Sequence, residues 1–174
     1  MTKIEEKALS KKIFEATQMG YEEKLRKLIL QLKKFSDCSE ADCTEALELA
    51  SEKGYAPCVK LLIPVSKPKA GKSCALLWAS FGGHTECVKL LIPVSDPKSD
   101  NSGALRLASM KDHQDCVELL LPHSDISKFS DKEWLKISSD MQNIIRSYYS
   151  KTSLEQNVLF GDNKILKNNK TRKI

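Results

Sequence analysis

The sequence predicts an all-α protein in which short helix pairs stack into a solenoid. The main observation is a repeat, because residues 58–69, CVKLLIPVSKPK, return almost unchanged 29 positions later as residues 87–98, CVKLLIPVSDPK. A second observation is the helical spacing of the apolar residues in this phrase. A third is composition, since seven glycines and 6% aromatic residues argue against a β-sandwich. A fixed interval of this size indicates stacked supersecondary units.

Length and composition suit one soluble domain of 174 residues. The first residues contain no uninterrupted apolar stretch, so we expect no secretory signal. Apolar runs such as LLIPV are far shorter than the roughly 18 residues that cross a membrane. Six cysteines without a signal predict free thiols in a reducing compartment. We therefore expect a cytoplasmic protein that does not enter a membrane.

Three strong repeat units are visible, and a weaker unit flanks them on each side. The strong units begin ALELASEKGY, ALLWASFGGH and ALRLASMKDH, again 29 residues apart. The predicted units are 5–36, 44–66, 73–95, 102–124 and a degenerate closing unit, 131–149. They define a repeat domain over residues 1–149, followed by a basic, flexible tail over residues 150–174. The end units are expected to act as caps, because each has a face without a neighbour.

Each unit predicts two helices. The first begins at a hydroxyl residue, which can cap free amide groups, and ends where a left-handed residue is favoured. The starting residues are Thr44, Ser73 and Ser102, and the end positions are Gly54, Gly83 and Asp112. The second helix ends before a proline, because the preceding residue is pushed out of the helix. These prolines are Pro64, Pro93 and Pro122, and an extended segment is expected after each of the first two.

Residues 75–92, ALLWASFGGHTECVKLLI, resemble the ankyrin repeat, whose pattern is roughly T-P-L-H-x-A-A-x-x-G-H-x-x-V-V-x-L-L-L. The matching positions are Leu76, Ala79, Ser80, Gly83, His84, Cys87, Val88, Leu90, Leu91 and Ile92. Ala75 and Leu77 replace the family's Pro and His, and the period is shorter than the usual 33 residues or so. The resemblance covers about residues 5–149, most strongly 44–124. It implies an ankyrin-like α-solenoid of about five stacked helix pairs with shortened finger loops, the connectors between units.

The repeated cysteines and histidines predict packing. Cys58, Cys87 and Cys116 stand where the family has Val or Ile, and cysteine behaves as a small buried hydrophobe. His84 and His113 each precede a cysteine by three residues, but each pair lies on its own unit, whereas a tetrahedral metal site needs four convergent ligands. In the family this histidine makes structural hydrogen bonds across the stack. We predict no metal site and no cofactor.

No catalytic or nucleotide-binding motif emerges from the sequence. Residues 70–73, AGKS, look like the end of a phosphate-binding loop, but Ser66 occupies the position of its required first glycine. No nucleophile is paired with a base. The sequence therefore predicts a non-catalytic protein, although an active site scattered along the chain would leave no motif.

The resemblance implies that the variable positions between the Ala-Ala pair and the glycine lie on a concave binding face. Phe81 and Met110 form the predicted apolar centre, because exposed aromatic and methionine side chains anchor protein interfaces. The other predicted contact residues are Lys53, Lys111, Glu52, Leu77, Arg106, Lys69 and Lys98. The alternative is that the shortened fingers fold back and cover the two apolar residues. Trp78 aligns with Leu49 and Leu107, which predicts that it packs inside the stack.

The predicted function is binding of a partner protein. Near-identical units and a Lys- and Asn-rich composition resemble ankyrin proteins of viruses, phages or host-associated bacteria, which implies an effector or inhibitor of a host or defence protein, in the producing cell or in an infected host. The alternative is binding of nucleic acid or an acidic partner through residues 164–174, which hold five basic residues and no acid. This tail has few aromatic residues to stack on bases, so a protein partner is favoured. The partner's identity and the oligomeric state stay open.

Overall fold

The computed structural model describes residues 3–35 and 43–156, and all regular secondary structure in these ranges is helical. The predicted all-α fold is confirmed. The described residues divide into two compact units, one up to Ser138 and one from Ser139. The predicted unit boundary at residue 36 and the part of the predicted tail beyond Gln156 lie outside the described residues. The predicted closing unit, 131–149, spans the division at Ser138 and stays a prediction.

In the residues that the structure describes, the first compact unit contains four pairs of α-helices, one short α-helix and four 3-10 turns. The pairs are α1 (Lys3–Gln18) with α2 (Glu22–Phe35), α3 (Thr44–Glu52) with α4 (Ala56–Leu62), α5 (Ala70–Phe81) with α6 (Thr85–Leu91), and α7 (Ser99–Met110) with α8 (Gln114–Leu120). The short helix is α9 (Asp131–Trp134). The described part of the second unit is a single helix, α10 (Ser139–Gln156).

The four pairs form two layers. Helices α1, α3, α5 and α7 pack side by side in chain order, and α2, α4, α6 and α8 form the layer beside them. The core repeats with the units, because equivalent leucines and valines of successive pairs are buried. The buried residues of these series are Leu47, Leu76 and Leu105 in the first layer and Val59, Val88 and Val117 in the second. Each such side chain stabilises the stack by about 1.5–3 kcal/mol relative to its exposure to water.

A buried serine follows the alanine in each of the three strong units. The hydroxyls of Ser51, Ser80 and Ser109 each donate a hydrogen bond of 2.7 Å to the carbonyl oxygen four residues earlier in the same helix. A buried hydroxyl would destabilise the fold if it had no partner, so these local bonds let a polar residue occupy the helix interface. The sequence pattern identified the positions as structural but did not show how the hydroxyl is satisfied.

The predicted left-handed helix ends are confirmed. Gly54, Gly83 and Asp112 have φ values of +73°, +71° and +58°. The imidazole of His84 lies against Gly54, and that of His113 lies against Gly83. Each ring then reaches the preceding pair: Nε2 of His84 donates to the carbonyl oxygen of Glu52 at 2.9 Å, and Nε2 of His113 donates to that of Phe81 at 3.0 Å. The histidines are therefore structural links between units, as the resemblance implied.

The predicted caps at Ser73 and Ser102 are wrong, because these hydroxyls accept their hydrogen bond from the far end of the unit and not from their own helix. These two hydroxyls and that of Thr44 each accept a bond from a backbone N–H group 23 residues later, where the chain leaves the second helix of the same unit. The bonds run from Lys67 to Thr44 at 3.0 Å, from Asp96 to Ser73 at 2.9 Å and from Asp125 to Ser102 at 2.8 Å. The backbone N–H of the returning chain donates to the hydroxyl, so this bond joins the beginning of each unit to its end.

The second α-helix ends before the proline as predicted, but the predicted reason is wrong, because the residue before the proline does not leave the helical region. Each α-helix tightens into a 3-10 turn that contains the proline, namely Ile63–Val65, Ile92–Val94 and Leu121–His123. The residue before the proline stays helical, with φ −45° and ψ −50° at Ile63. After Val65, Ser66 is extended and a turn at residues 68–69 leads into α5. The connectors are turns rather than the expected extended segments, and Gly71, Lys72 and Ser73 have left-handed backbone before the regular part of α5 begins.

We expect Gly83→Ala to destabilise the protein by about 2 kcal/mol. Alanine is strained at a φ of +71°, and its Cβ would lie 2.6 Å from Nδ1 of His113, so the ring and its hydrogen bond to Phe81 would be displaced. Chemical denaturation measures the change. Gly103→Ala is the control, because Gly103 lacks a positive φ and its new methyl group meets the flexible end of Leu77. Equal stability of the two variants would contradict the assigned role of Gly83.

Candidate functional site

An exposed aromatic pair lies on α5. The rings of Trp78 and Phe81 meet edge to face, with centroids 6.1 Å apart. Trp78 is 44% exposed and Phe81 is 38% exposed, so the connectors and the neighbouring units leave part of each ring in contact with water. The prediction that Trp78 packs inside the stack is wrong. The sequence did contain an indication of this exposure. Residues three apart share one face of a helix, so the spacing places Trp78 beside Phe81.

Lys111 joins the aromatic pair from the next unit. Its ammonium nitrogen lies 4.6 Å from the centroid of the Phe81 ring, which is a cation–π contact. Lys111 directly follows α7, and the hydrogen bond from His113 to the Phe81 carbonyl holds the two chain segments together. The structure therefore brings two of the predicted contact residues, Phe81 and Lys111, into direct contact. We call Trp78, Phe81 and Lys111 the aromatic face.

Four other predicted contact residues occupy the first layer or its end. Glu52 and Lys53 are exposed at the end of α3. Met110 is half-buried at the end of α7. Leu77 is half-buried on α5 and lies against the backbone at Gly103 in the next unit, so part of its surface already serves the stack.

Arg106 belongs to an ion-pair network at the end of the strong units. Its guanidinium group donates to Asp100 at 3.1 Å and to Glu133 near the start of α9. Glu133 also accepts two bonds from Ser130, one from the backbone N–H at 2.8 Å and one from the hydroxyl at 2.7 Å. The bonds from Ser130, followed by the bond from Arg106, lower the pKa of the Glu133 carboxyl to about 2. The guanidinium group of Arg106 therefore pairs with carboxylates of the protein itself.

The connector residues Lys69 and Lys98 are exposed. Neighbouring charges in the connectors are paired, since the Lys72 ammonium lies 3.1 Å from the carboxylate of Asp100. The carboxylate of Asp96 accepts a bond of 3.1 Å from the backbone N–H of Lys98. The structure does not join the two connector lysines to the aromatic face by a direct contact within the described residues.

The repeated cysteines are buried. Cys58, Cys87 and Cys116 are at most 2% exposed, and all three are free thiols. Burial raises the pKa of all three thiols, to about 11 for Cys87. Because the thiolate is the reactive form of cysteine, these groups are poor nucleophiles at neutral pH. Their role is packing between units, as the sequence predicted.

Two further properties concern the described residues as a whole. No group of three or more His, Cys, Asp or Glu side chains is placed to hold a metal ion in residues 3–35 and 43–156. In the same ranges, no helix combines the length and the apolar character that a membrane span requires.

Repeated helix pairs in two layers, with histidine links between neighbours, define a helical-repeat protein of the class that presents its surface residues on a uniform frame. The family model for ankyrin repeats, in three copies, matches residues 13–92 and 47–130. The chain belongs to the ankyrin repeat family. Proteins of this family are generally protein–protein interaction modules and are typically non-catalytic. A search of curated proteins found no match to the chain.

We expect Cys87→Val to be nearly neutral and Cys87→Asp to destabilise the protein by several kcal/mol. Valine keeps an apolar side chain in the interface between units, whereas aspartate places an unpaired charge there. Denaturant unfolding of the two variants measures the difference. Rapid modification of Cys58, Cys87 and Cys116 by a thiol reagent in the folded protein would contradict their burial. Mass spectrometry identifies the modified positions, so that reaction at the partly exposed Cys74 is not counted.

We expect the stabilising effect of Glu133 to disappear on acidification. Its folded-state pKa of about 2 lies below the usual value of 4.5, so the carboxylate stabilises the fold above pH 4.5 and loses this effect as the pH falls toward 2. Glu133→Gln should therefore be less stable than the wild type at pH 7. The difference in free energy of unfolding, followed by denaturant titration, should shrink across this window. A difference that stays constant down to pH 2 would refute the assignment.

Proposed function

We propose that the chain is a non-catalytic binding module whose protein partner contacts the predicted concave face at Trp78, Phe81 and Met110. The observation that carries this proposal is the exposure of Trp78 and Phe81 on the central helix pair. Equivalent positions in the neighbouring strong units hold Leu49 and Leu107 in place of Trp78. A repeat frame needs no large aromatic side chain at an exposed position, and an internal duplication that preserved the frame still changed these residues.

Contact with water costs these two rings free energy, which burial against a partner would recover. Tryptophan and tyrosine, with arginine, are enriched among the residues that dominate protein interfaces, and large aromatic rings supply much of the buried apolar area there. Lys53 and Lys111 are exposed around the pair. An apolar centre with a charged rim is the usual anatomy of a specific interface. Covering Trp78 and Phe81 would remove apolar surface from water without disturbing the stack.

The finer proposal is that binding occupies or inhibits a host or defence protein in the cytoplasm of the producing cell or of an infected host. It is supported by the near identity of residues 58–69 and 87–98, which is typical of recent internal duplication. The competing proposal, binding of nucleic acid or an acidic partner through the basic tail, makes a different prediction. Phosphate contacts weaken steeply with salt, whereas an apolar contact does not.

We expect Phe81→Ala and Trp78→Ala each to weaken partner binding by roughly 2 kcal/mol without unfolding the protein. The wild-type chain and the variants are immobilised separately, exposed to a lysate of candidate host cells, and the captured proteins are compared by mass spectrometry. Leu30→Ala is the matched control, because Leu30 is 61% exposed on α2, in the second layer. A true partner is retained by the wild type and by Leu30→Ala but is reduced for both aromatic variants.

Stability is measured on the same samples, because loss of a packing residue lowers the melting temperature, whereas loss of a binding residue lowers the affinity for the partner. Unchanged capture together with a lower melting temperature would mean that the rings support the fold and would sink the assignment of this face. Capture that is unaffected by the aromatic variants, is abolished by raised salt and requires residues 164–174 would favour the tail instead.

A further inference from the structure

We propose that the aromatic face recognises an acidic segment of the partner, in which an Asp or Glu side chain stands next to an apolar one. This inference rests on the proposed function and adds the chemistry of the partner. Its basis is Lys111, an exposed lysine that lies over the Phe81 ring and forms no ion pair with a carboxylate of the described residues.

The carboxylates near this part of the stack are engaged in internal bonds. Asp100 holds both Lys72 and Arg106, each at 3.1 Å. Asp96 accepts the backbone N–H of Lys98 at 3.1 Å. Asp112, which directly follows Lys111, accepts the hydroxyl of Ser138. Only Asp100 is paired with cations in this group, whereas Asp96 and Asp112 accept bonds from neutral donors and keep their negative charge.

The lysines are available. Lys53, Lys69, Lys98 and Lys111 are exposed, and none forms an ion pair with a carboxylate of the described residues. Glu52 at the end of α3, Asp96 beside Lys98 and Asp112 beside Lys111 are exposed carboxylates that offset part of this charge. The attraction for an acidic segment is therefore local to the ammonium group of Lys111, which lies against the Phe81 ring.

Lys111 couples the charge to the apolar site. Its ammonium group is 4.6 Å from the centre of the Phe81 ring, and that ring contacts Trp78. A carboxylate that pairs with Lys111 would therefore bring a neighbouring apolar side chain against the two rings. Covering the rings excludes water from the ion pair, which strengthens a charge interaction that would be weak in open solvent.

The test selects random linear peptides displayed on phage for binding to the full chain. We expect enriched peptides to carry Asp or Glu next to an aliphatic or aromatic residue. Binding of the selected peptides to purified variants is then measured. Lys111→Met, which keeps an unbranched apolar stem but removes the charge, should weaken affinity about tenfold. Lys60→Met is the matched control, because Lys60 is exposed on α4 and should leave affinity unchanged.

The outcomes separate this inference from the proposed function. Peptides that require Trp78 and Phe81 but show no acidic enrichment, or that bind Lys111→Met as well as the wild type, would overturn the acidic segment alone. Selected peptides that bind Phe81→Ala and Trp78→Ala with full affinity would overturn both proposals. A selection that enriches no binder to the wild-type chain would overturn recognition of a linear acidic segment. Lys111→Glu provides a second variant, and it should abolish binding of the acidic peptides while retaining the fold.

Discussion

Each helix pair has an apolar face that it can bury only against a copy of itself, and the rest of the structure depends on this constraint. A pair of helices as short as α5 and α6 cannot exclude water from Leu76 and Val88 alone, so the neighbouring pairs must supply the missing surface. The histidine links enforce the spacing, because His84 and His113 fit against glycines whose missing side chains leave room for the ring. Stacking therefore selects the residues that repeat, and it leaves the exposed positions free to change.

At exposed positions the central helix pair differs most clearly from its neighbours. Trp78 stands where neighbouring units hold leucine, and Phe81 stands where they hold Glu52 and Met110. Some of the residues that differ between units make contacts within the protein. Arg106 differs from Glu48 and Leu77 at the equivalent position, and the structure uses it to bind Asp100 and Glu133. Variation between units is thus a signal of function only after the internal contacts of each side chain are known.

The charged side chains near the aromatic face also differ in whether they have a partner within the protein. Asp100 is paired with Lys72 and Arg106, whereas Asp96 and Asp112 accept bonds from neutral donors and stay charged. Lys111 lies over the Phe81 ring and forms no ion pair with a carboxylate of the described residues. Pairing and not composition therefore decides which charges a partner meets beside the two rings.

The sequence by itself determined the repeat period, the all-α class, the burial of Cys87 and the left-handed helix end at Gly83, because these follow from local spacing and from one residue's conformational range. The sequence did not predict the contacts in which a side chain bonds to a partner far away along the chain. Ser73 was expected to cap its own helix, but it bonds Asp96, since only the folded unit returns that backbone to it. Trp78 was expected in the core, because alignment with Leu49 cannot show how far a larger ring extends beyond the layer. Tertiary structure alone decided that Trp78, Phe81 and Lys111 meet, since the lysine comes from the next unit and the stacking of the pairs sets its distance.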